Sequence, residues 1–273
     1  MTGEVKDTRR TDGFFNKLEV ELKLLGDVLS DAKGLRITVA KAVDETGRDL
    51  VDPKTAETEF KEVDSSQGGT IKVEIQLKNP ARMANAVKEI TGTVELFVPK
   101  RDPASTVAVP SFLRNAGKPI VSPTLKAAGI EIIAWTKEQY EARKKIEEEK
   151  QKRAEAERRI PGAKQEGEDI GDALAQGLTK MFGGLLSSFA EMNENSIAFQ
   201  ISDESSKLVG IEFEDAAGKP ISRGGRMTIG GQPRTQIYEF ENKLPDTTRI
   251  KLFVLTARSM TKVPFKLLDV PLP

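Results

Sequence analysis

The chain of 273 residues has no cysteine and no histidine. Disulfides, thiol nucleophiles, imidazole bases and nearly all zinc, copper or haem sites are excluded together. A metal site would have to be built from oxygen ligands alone, which means calcium or magnesium. Aromatic residues make up only 5% of the chain, with a single tryptophan and two tyrosines, so surfaces that stack flat ligands have few candidates. Neither charge sign is in excess, with Lys plus Arg 42 against Asp plus Glu 42, so no global field draws the chain to a polyanion, and a nucleic-acid partner is not expected. No apolar run approaches the length of a membrane-spanning helix. The first residues, MTGEVKDTRRTDGFF, lack the apolar core of a signal peptide. That points to the cytoplasm by default, or to a bacterial cell envelope if a leader was removed.

Apolar residues at 38% are enough for a folded core, and the length suits two domains. Residues 1–13 are polar and aperiodic and are expected to form a flexible tail, set at 1–15 as a segment. From Leu18 the pattern alternates: Leu18, Val20, Leu22 and Leu24 alternate with Glu19, Glu21, Lys23 and Leu25, as in a half-buried strand. LRITVAKAV (35–43) repeats the pattern, and further strands are expected at 71–77, 93–98, 107–112 and 130–135. Residues 51–69 read as a polar excursion, and 80–90 as a short helix. After Trp135 the texture changes. Thr136 followed by Gln139 fits a capping box, and 137–160 carries four Glu-to-Lys/Arg pairs spaced i,i+4, from Glu141/Lys145 to Glu155/Arg159. A second helix is expected over about 168–192. Strands then return at 196–202, 208–214, 235–241, 249–256 and 262–270.

The two β-rich stretches share a plan. Strand LRITVAKAV runs into Asp44-Glu45-Thr46-Gly47, and strand KLVGIEFE runs into Asp215-Ala216-Ala217-Gly218. Each is preceded by an alternating strand (LEVELKL, SIAFQIS) and followed later by a strand of like texture, 93–98 and 249–254. This recurrence points to internal duplication. The aspartate can bond backbone amides ahead of it, and the glycine can take the positive φ that closes the hairpin. A calcium reading of Asp44, Glu45 and Asp49 is the alternative; the turn needs no ion.

Short alternating strands with hairpin turns, over 16–135 and 195–273, resemble tandem immunoglobulin-like or fibronectin-type β-sandwich modules. The resemblance is one of architecture, without the Cys…Trp…Cys signature, and it implies a scaffold used for adhesion, spacing and partner binding. The expected fold is therefore mainly β with an α insert: two antiparallel immunoglobulin-like β-sandwiches (16–135 and 195–273) joined by a helical hairpin (136–194).

No catalytic motif of the nucleophile-elbow, zincin, P-loop or dithiol type occurs. Gly230-Gly231 leads into Gln232-Pro233 and a strand, which reads as a hairpin loop and not a phosphate cradle. Glu212 and Glu214 share one strand face, expected to be solvent. The most informative stretch is the second helix. Ile170, Leu174, Leu178, Met181, Phe182, Leu185, Phe189 and Met192 fall on one face at helical spacing. The stripe either packs on the chain itself or binds a partner; membrane-surface contact is disfavoured because its polar face carries mainly Lys180. Leu174, Leu178, Met181, Phe182, Leu185 and Phe189 are the candidate partner-binding residues. Near the end, Pro264, Pro271 and Pro273 suit an edge strand. The function expected is that of a non-catalytic structural or protein–protein interaction protein without cofactor or metal, whose partner is a protein, a second copy included. The alternatives are a carbohydrate- or small-ligand-binding sandwich, with Trp135, Tyr140 and Tyr238 as the aromatics, and an enzyme using carboxylates alone.

Overall fold

A computed structural model describes residues 1–10, 16–53, 60–63, 69–158 and 192–273. The fold is mainly β, built of several antiparallel sheets. It divides into two compact units that are discontinuous in sequence. Unit 1 comprises 1–107, 206–211 and 252–273; unit 2 comprises 108–205 and 212–251. Strand pairing between residues far apart in the chain decides the grouping, and composition carries no trace of it.

In unit 1, β1 (Thr2–Thr8), β2 (Lys17–Leu25) and β5 (Thr70–Leu77) form a three-stranded sheet in the order β1-β2-β5. The expected flexible tail is thus corrected over Thr2–Thr8, which pair with β2 from Thr2↔Leu22 to Thr8↔Lys17. Every residue of β1 stays half-exposed or exposed, so the backbone ladder and not apolar periodicity holds it. A second sheet has the order β14-β6-β3-β4, from β3 (Gly34–Asp44), β4 (Lys61–Glu62), β6 (Ala86–Phe97) and β14 (Met260–Pro271). The helix expected over 80–90 is not formed: Ala86 already begins β6. Helix-forming residues such as Lys88 and Glu89 are overridden by pairing on both sides, with β3 and β14.

Both sheets feed one core. Leu18, Val20 and Leu22 meet Ile75 and Leu77, Leu35, Ile37, Val94, Leu96 and Val270, all buried. Alternation explains the sorting, since every second side chain of a strand faces inward. On β6, Gly92 lies where a Cβ would run into the Thr38 carbonyl and would stand 2.7 Å from the Phe265 ring. Phe265 is its register partner on β14, and β3 bulges opposite, between Val39 and Lys41.

In unit 2, β8 (Glu131–Thr136), β9 (Ser196–Ser202), β11 (Gly225–Ile229) and β12 (Arg234–Glu239) form a sheet in the order β11-β12-β9-β8. The glycine-rich segment 224–233 proves to be a hairpin, with Gly230 at φ 80° between β11 and β12. Its core is aromatic. Phe213 stands 4.8 Å from Phe240, 5.1 Å from Tyr238 and 5.9 Å from Phe199, ring centre to ring centre. A six-residue helix α1 (Pro123–Ala128) precedes β8, and α2 (Lys137–Arg158) follows it. The second arm of the expected hairpin, 168–192, lies outside the described residues except Met192.

A further three-stranded sheet, of β7 (Thr106–Val109), β10 (Leu208–Glu214) and β13 (Arg249–Val254), has the order β10-β13-β7. The same connection order therefore occurs twice. In one stretch β2 pairs with β5 and β3 with β6; in the other β9 pairs with β12 and β10 with β13. β7 follows β6 in the chain but neighbours β13, and β14 follows β13 but pairs with β6.

Candidate interaction surfaces

The recurrent turn is the most chemically defined local feature. In the first copy the Asp44 Oδ1 accepts from the Thr46 amide (2.9 Å), the Thr46 hydroxyl (2.7 Å) and the Arg48 amide (2.9 Å). In the second, the Asp215 Oδ1 accepts from the amides of Ala217 (2.9 Å) and Lys219 (2.8 Å). The backbone bonds match pair for pair: Gly47 N–H to Asp44 O and Gly218 N–H to Asp215 O, both 3.0 Å, with φ of 86° and 84° at the glycines. Asp44 alone reaches further, its Oδ2 accepting from the Ala81 amide at 2.8 Å. Burial pushes the Asp44 carboxyl up, but the Ala81 amide, the Thr46 hydroxyl and the Arg48 and Thr46 amides outweigh it and hold it below the usual range. Glu45 accepts from Asn85, and Asp49 from the Val51 amide. The oxygens of the alternative calcium reading are thus engaged by the chain's own donors. Among the described residues no group of three or more acidic side chains is placed to hold a metal ion.

The outward face of the β3-β6-β14 sheet carries charges in rows. Glu95, at the centre, accepts from Arg36 on β3 (2.6 Å) and pairs with Lys262 on β14 (2.9 Å). Glu89 pairs with Lys266 on β14 (2.8 Å) and with Lys41 on β3. Bonds from Lys266 and Lys41 bring the Glu89 carboxyl down to about 2. Burial raises that of Glu95, and Lys262 and Arg36 more than compensate, leaving it lowered. Each acid is shared by two cations, one from each flanking strand, so the rows tie three strands together. This ladder was not foreseen. Its signal is the period-two spacing of Glu89, Thr91, Thr93 and Glu95, hidden once 80–90 is read as helix.

Glu212 and Glu214 are not a solvent pair as expected. Glu214 is buried and bonded to Lys251 on β13, while Glu212 stays half-exposed. The neutralising lysine makes that burial tolerable.

At the base of α2 the expected capping box is present: the Thr136 amide donates to the Gln139 side chain (3.2 Å), and the Gln139 amide to the Thr136 hydroxyl (3.4 Å). The Arg143 guanidinium lies 4.9 Å over the Trp135 ring. Tyr140 is buried with Met192, Ala198 and Ile237, and burial pushes its hydroxyl up to about 12. Beside this cluster lies a cleft of about 180 Å³, where Lys137, Lys243, Glu138, Glu194 and Asp246 mix both signs. Lys137 bonds Glu194 at 2.6 Å. The helix-stripe residues Leu174, Leu178, Met181, Phe182, Leu185 and Phe189 lie outside the described residues. No described helix is long and apolar enough to cross a membrane. No protein-family model, curated protein or solved structure matches the chain.

Proposed function

We propose that the chain is a non-catalytic structural or protein-interaction protein, with two immunoglobulin-like β-sandwich modules and a helical hairpin, that associates with itself or another protein. The observation that carries this reading is how the described acids are used: Asp44 and Asp215 hold turns, Glu89 and Glu95 each bind two cations across three strands, and Glu214 is bonded to Lys251. These acids act as fixed acceptors that hold turns and strands. The carbohydrate alternative has little support, because Tyr140 and Tyr238 are buried and Arg143 lies over Trp135.

The test is molar mass by size-exclusion chromatography with light scattering over a concentration series. Mass above the 30.0 kDa of one chain, reduced to it by Leu178→Glu with Leu185→Glu, is the expected result for assembly through the helix stripe. A monomer at every concentration, with no protein recovered in pull-downs, overturns the reading.

A further inference from the structure

We infer that β14 is an exchangeable closing strand, and that the β6 edge it covers takes the β14 of a second copy of this chain. The inference rests on the interaction reading above and names the surface and the partner.

Among the described residues β14 has one strand neighbour, β6, and closes the edge of its sheet. Its register runs from Met260↔Phe97 to Pro271↔Ala86, yet only Val270 of its twelve residues is buried. A strand held by one ladder and half-exposed side chains opens at a lower free energy than the core strands. The contacts it makes are specific: Lys262 with Glu95, Lys266 with Glu89, and the Phe265 ring against Gly92. The same strand from a second copy reproduces each of them, so exchange leaves the pairing energy unchanged and alters only the connection and the association entropy.

The connection permits it. Residues 255–259 join β13 to β14 through a turn held by hydroxyls and by two backbone bonds, from the Leu255 amide to the Lys207 carbonyl and from the Val98 amide to the Ser259 carbonyl, both 2.7 Å. The Thr256 amide donates to the Ser259 Oγ (2.9 Å), the Ser259 amide to the Thr256 Oγ1 (3.2 Å), and the Thr256 hydroxyl to Asp102 (2.7 Å). The segment Leu-Thr-Ala-Arg-Ser has no glycine, no proline and no residue of positive φ. Each residue can adopt extended backbone, so β13 can run straight into β14 once those bonds open. The chain already pairs β14 with a strand remote in sequence, while the strand that follows β6 neighbours β13. The outer edge of β14 is a poor docking site by contrast: Pro264 lacks an N–H, and Lys262 and Lys266 flank it.

The absence of cysteine makes the test clean. Two single-cysteine chains are made, Thr91→Cys and Lys266→Cys, at positions that face each other in the register. They are folded separately, mixed at high concentration under native conditions and oxidised. Exchange yields a disulfide-linked heterodimer of twice the 30.0 kDa chain mass, several-fold above a control mixture of Thr91→Cys with Val121→Cys, which is 92% exposed. Thr93→Cys with Pro264→Cys, the neighbouring opposed pair, repeats the test should the first variants not fold. Crosslinking no higher than the control overturns the inference. Unmodified chain that is nonetheless larger than 30.0 kDa leaves the interaction reading standing, with its surface elsewhere. Unmodified chain that is monomeric and binds no other protein, together with cysteine variants that do not crosslink above the control, removes both.

Discussion

Asp44 and Asp215 build the same turn in different surroundings, and the difference sets how much each stabilises. Asp44 is fully buried and also holds the Ala81 amide, whereas Asp215 serves its own turn only. Removing a buried acceptor strands its donors, so Asp44→Ala is expected to cost about 1–3 kcal/mol, and Asp215→Ala about 0.5–1.5 kcal/mol. Urea midpoints of the two variants are the measurement; equal losses would mean the Ala81 bond adds nothing. The lowered carboxyls also fix the response to acid. Glu89, Glu95 and Asp44 titrate in the fold below their ordinary values of 4.5, 4.5 and 3.8. The folded state therefore binds fewer protons than the unfolded one, and the stability these groups give is full above about pH 4.5. It is lost as pH falls toward about 2, where Glu89 titrates. Unfolding midpoints should drop steadily over that window; a flat profile would contradict the ladder. Tyr140 works in the opposite sense. With its hydroxyl raised to about 12, stability is full below its ordinary value of 10.0 and falls as pH rises between the two. Tyrosinate absorbance should show Tyr140 ionising only above its ordinary value.

At the scale of elements, β6 is paired on both sides, with β3 and with β14. A methyl group at Gly92 would run into the Thr38 carbonyl of β3 and the Phe265 ring of β14 and has no room. Gly92→Ala is expected to destabilise by about 1–3 kcal/mol, the usual range for overpacking, with faster amide exchange in β3 and β14. Unchanged exchange in those strands would mean the sheet yields freely. α2 depends on its first turn. Thr136→Ala should cost about 1 kcal/mol of helix stability and raise amide exchange over 137–140 while leaving the unit 1 sheets unaffected. Trp135 fluorescence, with Arg143 over the ring, is a convenient local reporter. The sequence made several elements plain. β2, β5, β8, β9 and β10 fall where alternation places them, and the capping box starts α2 where Thr136 and Gln139 say it should. It misled at β1, whose few apolar residues hide a ladder-held edge, and at 80–90, where helix propensity lost to two flanking strands. β11 sat unseen inside a glycine-rich stretch that read only as loop.

For the whole molecule, the discontinuity of unit 1 has a direct consequence. Segment 252–273 supplies β14, Phe253 packed 6.0 Å from Phe97, and buried Val270. Removing it should expose the β6 edge and speed amide exchange in β6 and in β3 beside it, far upstream in the chain. Protection retained in both would show that the rest of unit 1 is self-sufficient. By itself the sequence determined the mainly β class, the positions of most strands, the repeated aspartate–glycine turn and the capped start of α2. Those features are local: a period of two, an aspartate three residues before a glycine, a hydroxyl three before a glutamine. Only the tertiary structure decided which strands pair, that β14 returns to β6, and that Glu89 and Glu95 each bind two cations. These depend on partners brought together from distant parts of the chain, and a residue's own neighbours in sequence carry no record of whom it will meet.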